Sequence, residues 1–91
     1  MPEILWTDYL RYRADQRGFD LDQMEDILRF SSERYYDVET ERAIVVGKHY
    51  EKLVLIPYEQ NEATITPITI HVTTRQQIRF RLNTGRFITN A

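Results

Sequence analysis

The sequence predicts an α+β fold: two N-terminal helices packed on one face of a three- to four-stranded antiparallel sheet, followed by a short C-terminal helix. Three observations carry that expectation. Apolar residues recur at helical spacing up to Phe30. From Arg34 the period changes to two, the spacing of strands. The last stretch is bracketed by Thr74-x-x-Gln77, a capping box, and by Gly85, a residue suited to ending a helix. At 91 residues the chain suits one domain, 1–91.

The elements follow in order. Glu3-Ile4-Leu5-Trp6 reads as a short strand or a packed arm. Thr7 or Asp8 can cap a helix over Tyr9–Gln16, because a side-chain oxygen there accepts from a free backbone N–H. Gly18 supplies the left-handed turn that ends it. Asp20 opens a second helix, Leu21–Phe30, whose Leu21, Met24, Ile27 and Leu28 form one apolar stripe. Arg34–Asp37 and Arg42–Val46 flank a polar turn. Leu53-Val54-Leu55-Ile56 is a continuous β-favouring run that suits a central strand, with Pro57 expected at its end or on an edge. Residues 63–73 alternate, with Ile68, Ile70 and Val72 to one side and Thr69, His71 and Thr73 to the other. Ile78, Phe80 and Leu82 alternate with arginines and would also fit a strand. The caps favour a helix of about ten residues with Ile78 and Leu82 facing the sheet.

Composition narrows the classes. There is no cysteine, which excludes disulfides and thiolate metal sites and fits a cytoplasmic protein. No apolar run approaches the ~20 residues of a membrane span, and the opening residues lack the basic region of a secretory signal, so no membrane partner is expected. The two histidines have no ligand spacing, and no phosphate loop or dinucleotide fingerprint occurs, so neither a metal nor a cofactor is expected. Charge is segregated. Residues 1–62 carry all 14 acids and eight of the 12 bases; residues 63–91 carry four arginines and no carboxylate side chain. Such a segment suits an anionic partner, nucleic acid or an acidic protein.

The residues that close the chain resemble a known family. Tyr9 to Phe19 is similar to the H-x-x-x-R-x-x-x-R-G-[IVF] opening of a small BrnT-like family, with Arg13, Arg17 and Gly18 in register. Gln77-Ile78-x-x-Arg81-Leu82-x-Thr84-Gly85-Arg86-Phe87 is similar to its Q-I-x-x-R-x-x-[ST]-G-R-[WF] end. The element order resembles the wider RelE/ParE toxin superfamily. The resemblance implies the toxin of a toxin–antitoxin pair: an endoribonuclease acting on mRNA, free or on the ribosome, and neutralised by a small antitoxin protein. Superfamily members that poison gyrase, and relatives without demonstrated activity, leave a non-catalytic protein- or nucleic-acid-binding module as the alternative. Oligomeric state, a dimer included, stays open. One position departs from the pattern: Tyr9 stands where the family has histidine, and its ordinary pKa near ~10 makes it a poor proton carrier.

Metal-independent RNA cleavage needs a group to take the 2′-hydroxyl proton and positive charge on the phosphate. The catalytic candidates are therefore His71, Arg79, Arg81 and Arg86, arginine because its planar fork matches phosphate oxygens. Arg13, Arg17, Arg75 and Phe80 are candidates for nucleic-acid binding. Each has a structural competitor. The arginines can pair with acids of the N-terminal helices, Arg13 and Arg17 with Asp20, Asp22 and Glu25 in particular. Arg86 and Phe87 can pin the C-terminus to the sheet, and His71 can be a half-buried sheet histidine. His49 is expected in a turn.

Overall fold

In the computed structural model, which describes residues 2–89, the chain is an α+β domain. A short strand β1 (Glu3–Ile4) leads into helices α1 (Asp8–Arg17) and α2 (Leu21–Phe30). Strands β2 (Glu33–Asp37), β3 (Arg42–His49), β4 (Lys52–Gln60) and β5 (Thr64–Pro67) form an antiparallel meander. A two-residue strand β6 (His71–Val72), helix α3 (Arg75–Asn83) and strand β7 (Phe87–Thr89) complete the described chain.

The local signals work as their chemistry requires. Thr7 accepts from Leu10 N–H at 3.1 Å, and Gly18 ends α1 at φ +76°, in the left-handed region. Asp20 caps α2 by accepting from Asp22 N–H at 2.8 Å. Thr74 caps α3 by accepting from Gln77 N–H at 3.1 Å. The C-terminal segment is thus helical, and a short strand follows it.

The sheet is larger than expected and mixed. Its order is β1-β5-β4-β3-β2-β7, with β6 also paired to β4. Among the described residues the N-terminal arm supplies the one parallel pair, β1 with β5. A parallel pair needs a long crossover, and here both N-terminal helices and strands β2 to β4 lie between the two strands. At the other edge β7 pairs antiparallel with β2.

Helices cover both faces, which explains the unbroken apolar run of β4. Leu10, Ala14, Met24, Ile27 and Leu28 pack on Val45, Val54, Ile56 and Tyr58. On the opposite face Ile78 packs with Ile44, Val46, Leu55 and Phe87. Alternation along β3 and β4 therefore sends apolar residues into two cores.

Three local expectations are corrected. Pro57 lies within β4, opposite Ile44, rather than at its end. Its carbonyl accepts from Ile68 N–H at 2.8 Å, so the position where an N–H is missing faces the break between β5 and β6. The stretch 63–73 therefore breaks into β5 and β6 instead of forming one strand, although the alternation survives: Ile70 lies in the core with Val54, which Val72 pairs, while His71 pairs with Leu55 of the other core. His49 is a buried strand residue, not a turn residue. Its Nε2 accepts from Asp20 N–H at 2.7 Å, and its ring meets Phe19 edge-on, so it anchors the α1–α2 junction to the sheet.

Gly47 sets how closely α2 approaches the sheet. A Cβ built there would lie 2.8 Å from Ile27 Cγ2, and Ile27 is itself buried and β-branched, so it cannot swing away. Gly47→Ala is expected to destabilise the fold by about 1–3 kcal/mol in urea denaturation. Adding Ile27→Ala should cost less than the two single changes summed, because the smaller side chain makes room. Strict additivity would show that this contact does not set the spacing.

Candidate functional site

Helix α3 divides its arginines between two flanks. Ile78 and Leu82 face the sheet. At 100° per residue, Gln77 and Arg81 then fall on one flank, Arg75 and Arg79 on the other, and Phe80 points outward. The Arg81 flank looks over a cleft of about 480 Å³ between α3 and the β3–β4 sheet face, lined among others by Leu55, Thr69, His71, Gln77, Arg81 and Arg86. The Arg81 guanidinium lies over the Phe87 ring, 5.4 Å from its centroid, which holds it at the cleft wall.

Two of the four arginines are committed to carboxylates. Arg86 makes a bidentate pair with Asp37, Nε to Oδ1 at 3.1 Å and Nη2 to Oδ2 at 3.0 Å, and reaches Glu39 at 3.4 Å. The Asp37 side chain is only 3% exposed. Its Oδ1 also accepts from the Glu39 and Thr40 N–H groups, closing the β2–β3 turn. Burial pushes the Asp37 carboxyl up, but Arg86, the Thr40 hydroxyl and these N–H groups outweigh it and hold it below the ordinary value. Arg86 and Phe87 thus pin the C-terminal segment to the sheet. Arg75 pairs with Glu33 at 2.6 Å, and Glu33 also accepts from the Tyr35 hydroxyl. Burial and Glu33 push that hydroxyl up to about 12, so it stays a donor. The acids that take these arginines lie on β2 and its turn, not on the N-terminal helices.

His71 sits at the opposite wall. It pairs with Leu55 across β4 and β6, so its side chain shares the α3 face of the sheet with Leu55. Its pKa is lowered from the ordinary histidine value, first by burial of the ring and then by Arg17, Arg13 and Arg81. The imidazole is nonetheless exposed, and both causes favour its neutral form. The Arg17 Nη1 donates to Ile70 C=O at 3.4 Å, beside His71. Arg13 lies over the Tyr9 ring at 5.7 Å, and its buried Nε has no acceptor. The buried Thr69 Oγ1 is also without a partner.

The pairs foreseen between Arg13 or Arg17 and Asp20, Asp22 or Glu25 do not form among the described residues. Asp20 instead caps α2 and accepts from the Tyr50 hydroxyl, and Glu25 pairs with Arg29. No carboxylate of the described residues comes within 4.0 Å of Arg13, Arg17, Arg79 or Arg81.

The fold therefore brings His71, Arg81 and Arg86 to one cleft and Arg17 to the backbone next to His71, while Arg13 lies one turn earlier on α1 against Tyr9. Arg79 falls on the far flank of α3, and Arg75 is bound to Glu33. Phe80, 67% exposed, lines a neighbouring groove with Val38, Gln76 and Thr84. Asp37 and Thr69 were not singled out from sequence. The acid of a polar turn and a strand threonine carry no signal of their own. Among the described residues no group of three His, Asp or Glu side chains converges as a metal site. Comparison with protein-family models, curated proteins and solved structures returned no match.

The Asp37 pair makes stability depend on pH. A carboxyl held below its ordinary value contributes fully above about pH 4 and loses that contribution as pH falls through the depressed value. Asp37→Asn is expected to cost about 1–3 kcal/mol at pH 7 and to flatten the loss of stability between pH 4 and pH 2. Urea denaturation across that range checks both. An acid limb as steep as in the wild type would show that other carboxyls set it.

Proposed function

We propose that the protein is an endoribonuclease of the RelE/ParE toxin type, acting on RNA in the cytoplasm and paired with a small antitoxin protein. The observation that carries this reading is His71, a neutral imidazole flanked by Arg13, Arg17 and Arg81, none of them paired with a carboxylate of the described residues. An exposed base sharing a cleft with Arg81, with Arg17 bonded to the neighbouring Ile70 carbonyl, would suit a phosphodiester and the hydroxyl beside it. The closing motif, which resembles that of the BrnT-like family, supplies Arg81 to this site and Arg86 to its wall.

In this reading a phosphate of the RNA backbone binds between Arg81 and the α1 arginines. His71 takes the proton of the adjacent 2′-hydroxyl as that oxygen attacks phosphorus. The bond to the 5′ oxygen breaks, and the imidazolium returns the proton to that leaving oxygen. The products are a 2′,3′-cyclic phosphate and a 5′-hydroxyl. The arginines hold the added negative charge of the transition state. Arg86, already bound by Asp37, keeps the cleft wall and the Arg81 helix in place. Tyr9 has no proton-transfer role here.

The alternative, a binding module without catalysis, is favoured by the exposed Phe80 groove, which reactivity does not require. Salt separates the two kinds of contact. RNA held on several phosphates weakens steeply with salt, whereas an apolar protein contact at Phe80 does not.

Cleavage of a labelled single-stranded RNA is expected to fall about 100- to 10,000-fold in His71→Ala, the range for loss of one general base. Because the His71 pKa is lowered, wild-type cleavage should rise with pH through a value below 6.5 and level off by pH 7. That acid limb should vanish in the variant. Arg81→Lys should lose most of the activity, since an ammonium cannot replace the fork. Wild-type protein that leaves RNA intact at every pH would exclude the catalytic reading.

A further inference from the structure

Helix α1 is unusual in its surface. Only Leu10 and Ala14 are buried, and the helix exposes aromatic and basic residues in place of a broad apolar stripe. Its charges are sorted. Measured from Leu10 at 100° per residue, Arg11, Asp8 and Asp15 fall on one flank, and Tyr9, Arg13 and Arg17 on the other. The second flank carries no acid. It is also the flank that turns toward β6, where Arg17 bonds the Ile70 carbonyl and both arginines act on His71.

Tyr9 begins this line. The residue is 56% exposed although it is a large aromatic, so the core does not account for it. Arg13, one turn on, lies against the ring at 5.7 Å. Arg17 follows after another turn. The three residues are spaced about 6 Å apart along the helix axis, a step similar to that between successive phosphates of an extended single strand. The buried Arg13 Nε without an acceptor marks the middle of the line as incomplete within the protein.

We propose that Tyr9 is a base-stacking platform at the start of a single-stranded RNA track. The track runs along Tyr9, Arg13 and Arg17 to His71 and Arg81. This rests on the reading of the cleft as an RNA site and adds the form of the substrate and its path. Tyr9 and the arginines divide the recognition. The ring offers its face to a base of any identity, and the guanidinium groups take the phosphates. A duplex cannot use the ring, because its bases are already stacked on one another. The substrate is therefore single-stranded, with little sequence preference at the stacked position.

The test is binding of a fluorescent single-stranded 2′-O-methyl oligonucleotide, which lacks the attacking hydroxyl and so separates binding from cleavage. Tyr9→Ala is expected to weaken binding about 5- to 150-fold, the range for loss of one base stack. Tyr9→Phe should bind within about 2-fold of wild type, since the ring and not the hydroxyl is used. Tyr9→Ala should leave the slope of affinity against salt unchanged, whereas Arg13→Ala should reduce it by about one phosphate contact. An oligomer of abasic residues should bind wild type and Tyr9→Ala alike. Should Tyr9→Ala be poorly folded, Tyr9→Trp gives the same answer by quenching of its added fluorescence on binding.

Equal affinity of folded Tyr9→Ala and wild type overturns the proposal while leaving the RNA site intact. A Tyr9→Phe variant as weak as Tyr9→Ala also overturns it, in favour of a hydroxyl contact. No binding by the wild type at low salt overturns both this track and the RNA reading. Binding that depends on Tyr9 in a protein that never cleaves supports the track and removes only the catalysis.

Discussion

The Asp37–Arg86 pair is the interaction on which the arrangement of the C-terminal third depends. A carboxylate as buried as Asp37 costs several kcal/mol unless it is paired and hydrogen-bonded. Arg86 supplies both bonds of a fork, and the turn supplies two N–H donors. The Val38 N–H donates to Arg86 C=O at 2.9 Å, so backbone and side chain close the same junction. Phe87 can then enter the core beneath α3, where it stacks on Tyr35 and supports the Arg81 guanidinium. Remove the pair, and β7, the end of α3 and the cleft wall lose their common anchor. One arginine of the tail is thus structural so that another can face the cleft.

That division refines what charge segregation means here. The acid-free segment 63–91 is not uniformly available to an anion. Arg75 and Arg86 return to acids of the first half, Glu33 and Asp37, and so help bring the halves together. Exposed pairs such as Arg75–Glu33 add little to stability, about 0–1 kcal/mol. The Asp37 pair is worth more because one partner is out of water. The positive field at the cleft comes instead from Arg81 and from two arginines of the acidic half. A protein of net charge -2 can therefore still present a local cationic site.

Much of the fold was legible because its signals are local. Thr7, Gly18, Asp20 and Thr74 each act within one helical turn of themselves, so their caps could be read directly. The helical nature of α3 followed from such caps against an alternating pattern that also suited a strand. Non-local facts were not legible. The pairing of β1 with β5 joins residues about sixty apart, and nothing in Glu3–Ile4 specifies that partner. The break at Ile68–Ile70 answers Pro57 on the neighbouring strand. His49 looked like a turn residue because the hairpin begins one residue later, at Tyr50, which itself adopts a positive φ of 55°. At the site, the arginines could be nominated from composition. Their allocation between partners and cleft depended on Asp37, a residue with no signal of its own.

On the proposed catalytic reading, the proton chemistry of the cleft would depend on the same allocation. In the free protein, burial of the ring and then the charges of Arg17, Arg13 and Arg81 lower the His71 pKa. An arriving phosphodiester brings a negative charge among those arginines and cancels part of their field. Burial would remain, but the electrostatic component that disfavours the imidazolium would weaken, and the imidazole would become more basic once substrate is bound. A base that strengthens on binding suits a site with one proton carrier, because the same group must both take a proton and hold it until the leaving oxygen forms. The exposed Tyr9 ring, against which Arg13 lies, would then be available for a different use. On the proposed RNA reading, the departure at Tyr9 and the arginine charges acting on His71 would belong to a single arrangement, in which the imidazole would carry the proton and α1 the strand.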